Sequence, residues 1–256
     1  MNNYIQNSIE ATKNSFENSF KEATFYNKQT INDKHLEMIL DTLKINPGDK
    51  ILDLGTGSGY LAFELAKKFP NSKIIGLDII ENTLKENIKK AEKESINNIE
   101  FISYDGINLP FKDNEFDYIV TRYALHHFPL IESTFTEISR ILKKDSYLFI
   151  SDPTPNENDD KRFVDDYMKM KKDGHIKYYT KEEFIELGFK NNLELTGEFK
   201  SQITFPRLKD TSVEFEKIIK LHDDDVINSY NVKISDNNEY LYITQKVLNL
   251  TFIKRD

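Results

Sequence analysis

Cysteine is absent from the 256-residue chain, and so is tryptophan. Without thiols there can be no disulfide framework, no thiolate zinc or iron–sulfur site and no cysteine nucleophile. Long apolar runs are missing as well, and none approaches the ~20 apolar residues of a membrane span. The opening Met1-Asn2-Asn3-Tyr4-Ile5-Gln6-Asn7-Ser8 lacks the basic and apolar segments of a secretion signal. A cytoplasmic, soluble protein is the expectation. Basic charge is also in short supply: 35 Lys and Arg stand against 43 Asp and Glu, for a formal net charge of -8, and lysine pairs such as Lys89-Lys90 and Lys143-Lys144 are scattered. Nucleic-acid phosphate is usually met by a basic surface, so no nucleic-acid partner is expected.

What is present is enough chain for one large domain with a sizeable core. From about Asp49 to Pro153, short β-rich runs alternate with segments of helical period, the signature of a parallel sheet covered by crossover helices. The predicted strands are Lys50–Leu54, Lys73–Asp78, Ile99–Tyr104, Phe116–Arg122 and Tyr147–Ser151. Their near-continuous apolarity suits strands buried on both faces. Helix faces recur as Leu61, Leu65 and Phe69, as Leu84, Ile88 and Ala91, and as Phe135, Ile138, Ile141 and Leu142. Residues 1–45 read as a helical cap or lid, with an apolar stripe of Leu36, Ile39, Leu40 and Leu43, ahead of a main domain over 46–256. Thr180-Lys181-Glu182-Glu183 matches a capping box. Later strands are predicted over Leu193–Thr204 and Val247–Arg255, with a helix over Ser212–Leu221 and substrate-side insertions at about 156–179 and 206–240.

The first strand ends in Asp53-Leu54-Gly55-Thr56-Gly57-Ser58-Gly59-Tyr60 and runs into a helix. Glycines there let the chain turn sharply, let a ligand approach the backbone and aim helix-terminal N–H groups at it. A dinucleotide fingerprint needs its third glycine, or an alanine, where this chain has Tyr60. Asp53, Asp78 and Asp105 close three successive strands at the carboxyl edge, where open α/β sheets bind ligands, and Asp78 stands where a carboxylate accepts ribose hydroxyls. Taken singly, Asp53 and Asp105 also read as turn or cap residues.

Ile51–Pro153 resembles the class I S-adenosylmethionine-dependent methyltransferases. It is similar to the family of the ubiquinone and menaquinone biosynthesis C-methyltransferases. The resemblance is carried by Leu52-Asp53-Leu54-Gly55-Thr56-Gly57-Ser58-Gly59, by Asp105 with Leu109-Pro110-Phe111, by Phe116-Asp117-Tyr118-Ile119-Val120, by Leu125-His126-His127-Phe128 and by Glu137-Ile138-Ser139-Arg140-Ile141-Leu142. It implies a Rossmann-like α/β fold: a seven-stranded, mostly parallel sheet with helices on both faces, an N-terminal helical lid and an insertion between the last strands. The implied cofactor is S-adenosyl-L-methionine, leaving as S-adenosyl-L-homocysteine. Asp53 and the loop of Gly55, Thr56, Gly57 and Gly59 would hold its methionine part. Asp78 would bind the ribose hydroxyls, Ile79 would pack on adenine, and Asp105 would accept from the adenine amino group with Gly106 beside it. Arg122 matches a position that touches the methionyl end through its backbone, and Tyr26 one that closes over the cofactor, core packing being the other reading of Tyr26. In one departure, the loop that often carries paired glycines reads Lys143-Lys144-Asp145-Ser146.

Methyl transfer from a sulfonium requires an acceptor held in line with water excluded, and a base only if the acceptor arrives protonated. His126 is the first candidate to face the acceptor, with His127 beside it; the alternative is that one packs at a helix start and the other is solvated. His175, in a His-x-x-x-Tyr segment resembling some relatives, is the third candidate, with Tyr178 or Tyr179 as a pocket wall or core residue. Asp152-Pro153 reads as a turn near the site mouth. No metal-ligand spacing is present, and His222 with Asp223-Asp224-Asp225 reads as a solvated acidic helix end. The expected partner is a small-molecule acceptor, in a monomer or homodimer. The competing readings are a nucleotide-cofactor oxidoreductase of the NAD type, against which Tyr60 speaks, and a non-catalytic protein that binds S-adenosylmethionine.

Overall fold

The computed structural model describes residues 3–21, 32–208, 212–236 and 239–255. Helix α1 (Asn3–Lys21) is followed by α2 (Asp33–Thr42), which starts where the Asn32 side chain accepts from the His35 amide at 3.0 Å. The stripe Leu36, Ile39, Leu40 and Leu43 is buried against Ile51, Phe63, Leu65 and Phe149. An apolar face at helical spacing has thus found the sheet, as read from the sequence.

The sheet opens with β1 (Lys50–Leu54), α3 (Tyr60–Lys68), β2 (Lys73–Asp78), α4 (Glu81–Lys93), β3 (Ile99–Ser103) and β4 (Phe116–Arg122). There follow a single 3-10 turn (Leu125–His127), α5 (Ile131–Ile141) and β5 (Leu142–Thr154). The second half holds α6 (Phe163–Lys169), α7 (Lys181–Phe189), β6 (Leu193–Leu208), α8 (Ser212–Ile219), α9 (Asp224–Ser229), β7 (Lys233–Ile234) and β8 (Tyr240–Lys254). Spatial order is β3-β2-β1-β4-β5-β8-β6, with β1 to β5 parallel and β8 antiparallel between β5 and β6. The chain leaves β1 toward β2 on one side and returns through β4 on the other. That reversal opens a crevice at the carboxyl ends of β1, β2 and β4. Two cores cover the two faces, one with Leu52, Leu77, Phe135 and Phe184, the other with Ile51, Phe63, Tyr118 and Phe149.

Three details differ from the sequence reading. The two-residue β7 pairs with β8 and raises the sheet from seven strands to eight. The turn read at Lys143–Ser146 is an irregularity inside β5: the register steps from Phe116↔Leu142 to Tyr118↔Tyr147, and Asp145 takes φ 59. The last two predicted strands run past their expected bounds, β6 on to Leu208 and β8 from as early as Tyr240. β5 stops beside β8 at Thr154↔Lys246, whereas the β6–β8 hairpin continues to Leu208↔Tyr240. Its outer half overhangs the carboxyl edge of the sheet and covers a third core of Phe163, Tyr167, Ile203, Phe205, Tyr230 and Ile243. Asp159 anchors that unit by accepting from the Phe163 and Val164 amides and from the Tyr230 hydroxyl. The Thr180/Glu183 capping box is present at α7.

Candidate functional site

A cleft of about 1050 Å³, its open mouth included, lies at the carboxyl ends of β1, β2 and β4. Its floor is the loop after β1. The Gly55 and Thr56 amides donate to the Leu77 carbonyl at 2.9 and 3.0 Å, which draws the loop over the end of β2. Gly55 has φ +76, and a Cβ there would stand 2.5 Å from the Ala124 Cβ, so the loop passes directly against the chain leaving β4.

Two of the three strand-end aspartates lie in this cleft. Asp53 is buried and accepts from the Thr56 hydroxyl at 2.6 Å. Burial raises its pKa to about 7, a rise that the Thr56 bond opposes and the nearby Asp78 reinforces. Asp78 is also buried; one oxygen accepts from the Gly57 amide at 2.8 Å and the other from the Ile80 amide at 3.0 Å. Burial raises its pKa too, against those backbone bonds. Asp105 is placed differently. It is exposed, and its carboxylate accepts from the Ile107 and Asn108 amides and the Asn108 side chain, all within its own turn. What burial it has would raise its pKa, but the Asn108 and Ile107 bonds prevail and lower it. Its neighbours Tyr104 and Gly106 line the cleft, and Asp105 is not among the lining residues.

Gly55, Thr56, Gly57, Ile79 and Arg122 line the cleft as well; Gly59 does not, its φ of +74 serving the start of α3, where a Cβ would meet the Phe63 ring at 2.8 Å. The Arg122 guanidinium lies over the Tyr123 ring at 4.1 Å and the Tyr60 ring at 5.0 Å. Helix α1 forms the opposite wall through Ile9, Thr12 and Phe16. Tyr26 lies outside the described residues.

The three histidines come together, but in an order other than the one expected. His127, not His126, lines the cleft, with the Phe16 ring edge-on at 5.3 Å. Its Nδ1 is buried and has no hydrogen-bond partner among the described residues. His126 lies behind it, ring centroids 4.3 Å apart, and its Nδ1 meets both Asp152 oxygens at 2.9 and 3.1 Å. The preference for His126 therefore gives way to His127, because the short turn after β4 points the first imidazole at β5. His175 sits 6.2 Å from His127 and 5.5 Å from His126, with Nε2 bonded to Asp165 at 2.9 Å. Burial drives both His126 and His127 well below the ordinary histidine range, with histidine neighbours adding to it. Burial pushes the Asp152 carboxyl well up.

Several neighbours escaped the sequence reading. Asp165 takes the His175 ring, the Tyr178 amide and the Arg162 guanidinium. Asp173, buried on the loop that carries His175, pairs with Lys171 at 3.1 Å. Tyr123, with φ 56, and His35 complete the β4 side. His35, Tyr123 and the segment 162–178 lie far apart in sequence, and only the fold brings them together. Tyr60 did have a signal, following the glycine loop directly. Among the described residues no group of three or more His, Asp or Glu could hold a metal ion, and no helix is long and apolar enough to cross a membrane.

A family described as a methyltransferase domain matches residues 45–202. A demethylmenaquinone methyltransferase of Staphylococcus carnosus is 32% identical over 106 residues, 41% of this chain and 43% of that protein. The uncharacterized methyltransferase YcgJ of Bacillus subtilis is 25% identical over 159 residues, 62% of either protein. The chain thus spans less than two thirds of the length of both curated relatives. The crystal structure of YcgJ shares the fold, with a TM-score of 0.74 at 21% identity, covering 88% of this chain and 100% of that one.

Proposed function

The chain belongs to the methyltransferase-domain family, and on that premise we propose that it is an S-adenosylmethionine-dependent methyltransferase. It transfers a methyl group to a small organic acceptor by direct in-line displacement. The observation that carries this reading is Asp78 at the end of β2, bonded to Gly57 of the glycine loop on the floor of the cleft.

The chemistry of the lining fits the cofactor. A carboxylate accepts up to about four hydrogen bonds, and each Asp78 oxygen takes one backbone amide. With the Ile79 amide also turned toward the carboxylate, capacity remains for a ribose hydroxyl. Gly106 leaves open the space beside Ile79 and Ile9, which a Cβ would approach at 3.3 and 3.2 Å. Ile79 and Tyr104 offer apolar surface for a purine there. Asp53, held near neutrality by burial, returns to its ionised form beside a cationic ligand. When bound, the cofactor supplies a methyl group on a sulfonium, a good leaving group.

This chain's residues then orient the acceptor and exclude water. Phe16, Phe128 and Pro129 line the cleft around His127. His127 carries a neutral imidazole on the cleft wall, and a neutral ring can take a proton from an acceptor that arrives protonated. His126 and His175 stand behind it as its polar support.

The test is a thermal-shift series with S-adenosylmethionine, S-adenosylhomocysteine and NADH, followed by a panel of labelled-methyl acceptors. Stabilisation by the first two, and label transfer to a small molecule, are expected. Stabilisation by NADH alone would overturn the reading in favour of an oxidoreductase. Tight binding without transfer to any acceptor would leave a non-catalytic binding protein.

A further inference from the structure

Helix α2 buries the polar side chain of His35 against Tyr123, which lines the cleft. The His35 Nε2 lies 2.9 Å from Asn249 Oδ1 and 3.1 Å from Ser201 Oγ, and its Nδ1 lies 3.3 Å from the Tyr123 hydroxyl. The Asn249 amide nitrogen donates to Ser201 Oγ at 3.0 Å and to the Phe199 carbonyl at 3.3 Å, so Asn249 Oδ1 is an acceptor. Nε2 of His35 therefore carries the proton and Nδ1 accepts from Tyr123. The two rings are stacked, centroids 6.1 Å apart.

Tyr123 needs such a tether. It is a non-glycine residue at φ 56, a conformation that persists only where the surroundings hold it. Its ring carries the Arg122 guanidinium at 4.1 Å, and Tyr60 lies over the same cation at 5.0 Å. The Tyr60 hydroxyl in turn accepts from the Asn32 amide at the start of α2, at 3.2 Å. One end of α2 thus touches both rings that flank Arg122.

Charge is laid out along the cleft in the same direction. Asp78 ends β2, Asp53 lies on β1, and Arg122 ends β4, the next strand in the sheet. A ligand with its ribose at Asp78 and its chain extending over β1 toward β4 meets an anion first and a fixed cation next. An α-amino acid presents the matching pair, an ammonium and a carboxylate. We infer that His35 is a positioning residue: by holding the Tyr123 ring it fixes Arg122 where its side chain takes the carboxylate of the ligand's amino-acid end. This rests on the function proposed above, and it gives Arg122 a side-chain role in addition to any backbone contact.

The experiment compares two ligands. S-adenosylhomocysteine carries the amino-acid end; 5′-methylthioadenosine keeps the adenosine and sulfur without it. With His35→Phe, which keeps a ring and removes the acceptor nitrogen, S-adenosylhomocysteine should bind at least about tenfold more weakly, while 5′-methylthioadenosine stays within about twofold of wild type. His35→Asn, whose amide oxygen can replace Nδ1 as acceptor, should recover most of the loss. Arg122→Met should show the same selectivity, and combining it with His35→Phe should add little further. If His35→Phe does not fold, Tyr123→Phe deletes the same bond from its other end and carries the comparison. Equal weakening of both ligands, or unchanged binding of both, would overturn the inference. A wild-type protein that binds neither ligand would instead remove the cofactor reading on which it rests.

Discussion

Asp78 accepts a hydrogen bond from the Gly57 amide across 2.8 Å, fastening the end of β2 to the glycine loop that follows β1. The same carboxylate holds the Ile80 amide at the start of α4. A single side chain therefore shapes the cleft floor and, in the proposed function, receives the ribose.

Replacing that carboxylate separates the two roles. Asp78→Asn keeps a carbonyl oxygen for one backbone amide and loses the charge and half the acceptor capacity. S-adenosylhomocysteine affinity should fall by about 1–3 kcal/mol, the scale of hydrogen bonds to a charged group. Titration calorimetry checks this. Unchanged affinity in a protein that melts normally would mean that another carboxylate binds the ribose.

Asp53 predicts a proton linkage. Its pKa rises from 3.8 to about 7 on folding. Between those values the native state holds a proton that the unfolded chain releases, so ligand-free stability should decline as pH rises through that window. A cationic ligand draws the pKa back down. Binding at about pH 6 should then release protons, detectable as a buffer-dependent calorimetric enthalpy, and affinity should climb up to about pH 7 and level off. Buffer-independent enthalpy at about pH 6 would show that no cation binds beside Asp53.

The same residues show how far the sequence could be read. β1, β2 and β4 have the bounds read from their apolar runs, because strands buried on both faces leave that mark in composition. The glycine loop and the aspartates at 53 and 78 follow from those strand ends. Asp105 shares the strand-end pattern yet turns into its own loop, because Asn108 and two amides lie within reach of it. The outer half of β8 alternates in burial, Leu241, Ile243 and Gln245 being buried and the residues between them not, but the polar Gln245 stands at a buried position and breaks the apolar pattern. His35 gave no signal at all, since its partners Ser201 and Asn249 are 166 and 214 residues away.

His126 and His127 should respond oppositely to truncation. His127→Ala leaves no buried charge behind, so stability should change little, while turnover of a protonated acceptor should fall about 10²–10⁴-fold. His126→Ala strands Asp152, which is buried and bonded to that ring. It should destabilise by about 1–3 kcal/mol. Melting curves and single-turnover rates on the two variants distinguish these effects. Equal losses of stability with equal rates would make both histidines structural.

Helix α1 walls the cleft through Ile9, Thr12 and Phe16. Gly174, on the loop that carries His175, has φ +78, and a Cβ there would meet Thr12 Oγ1 at 2.0 Å, the Ser8 carbonyl at 2.9 Å and the Thr12 amide at 3.0 Å. Two of these are backbone atoms of α1, so no side-chain rotation relieves the clash, and the helix must move. Ile9, Thr12 and Phe16, which line the cleft, must move with it. Gly174→Ala should therefore release S-adenosylhomocysteine about tenfold faster or more. Gly48→Ala provides the control, because Gly48 has φ +95 and nothing within 4 Å of a Cβ. It incurs the backbone penalty of alanine at positive φ without touching α1. Stopped-flow release that is faster in the first variant alone identifies α1 as the cover. Equal rates in the two variants would mean that ligand escape does not depend on where α1 sits.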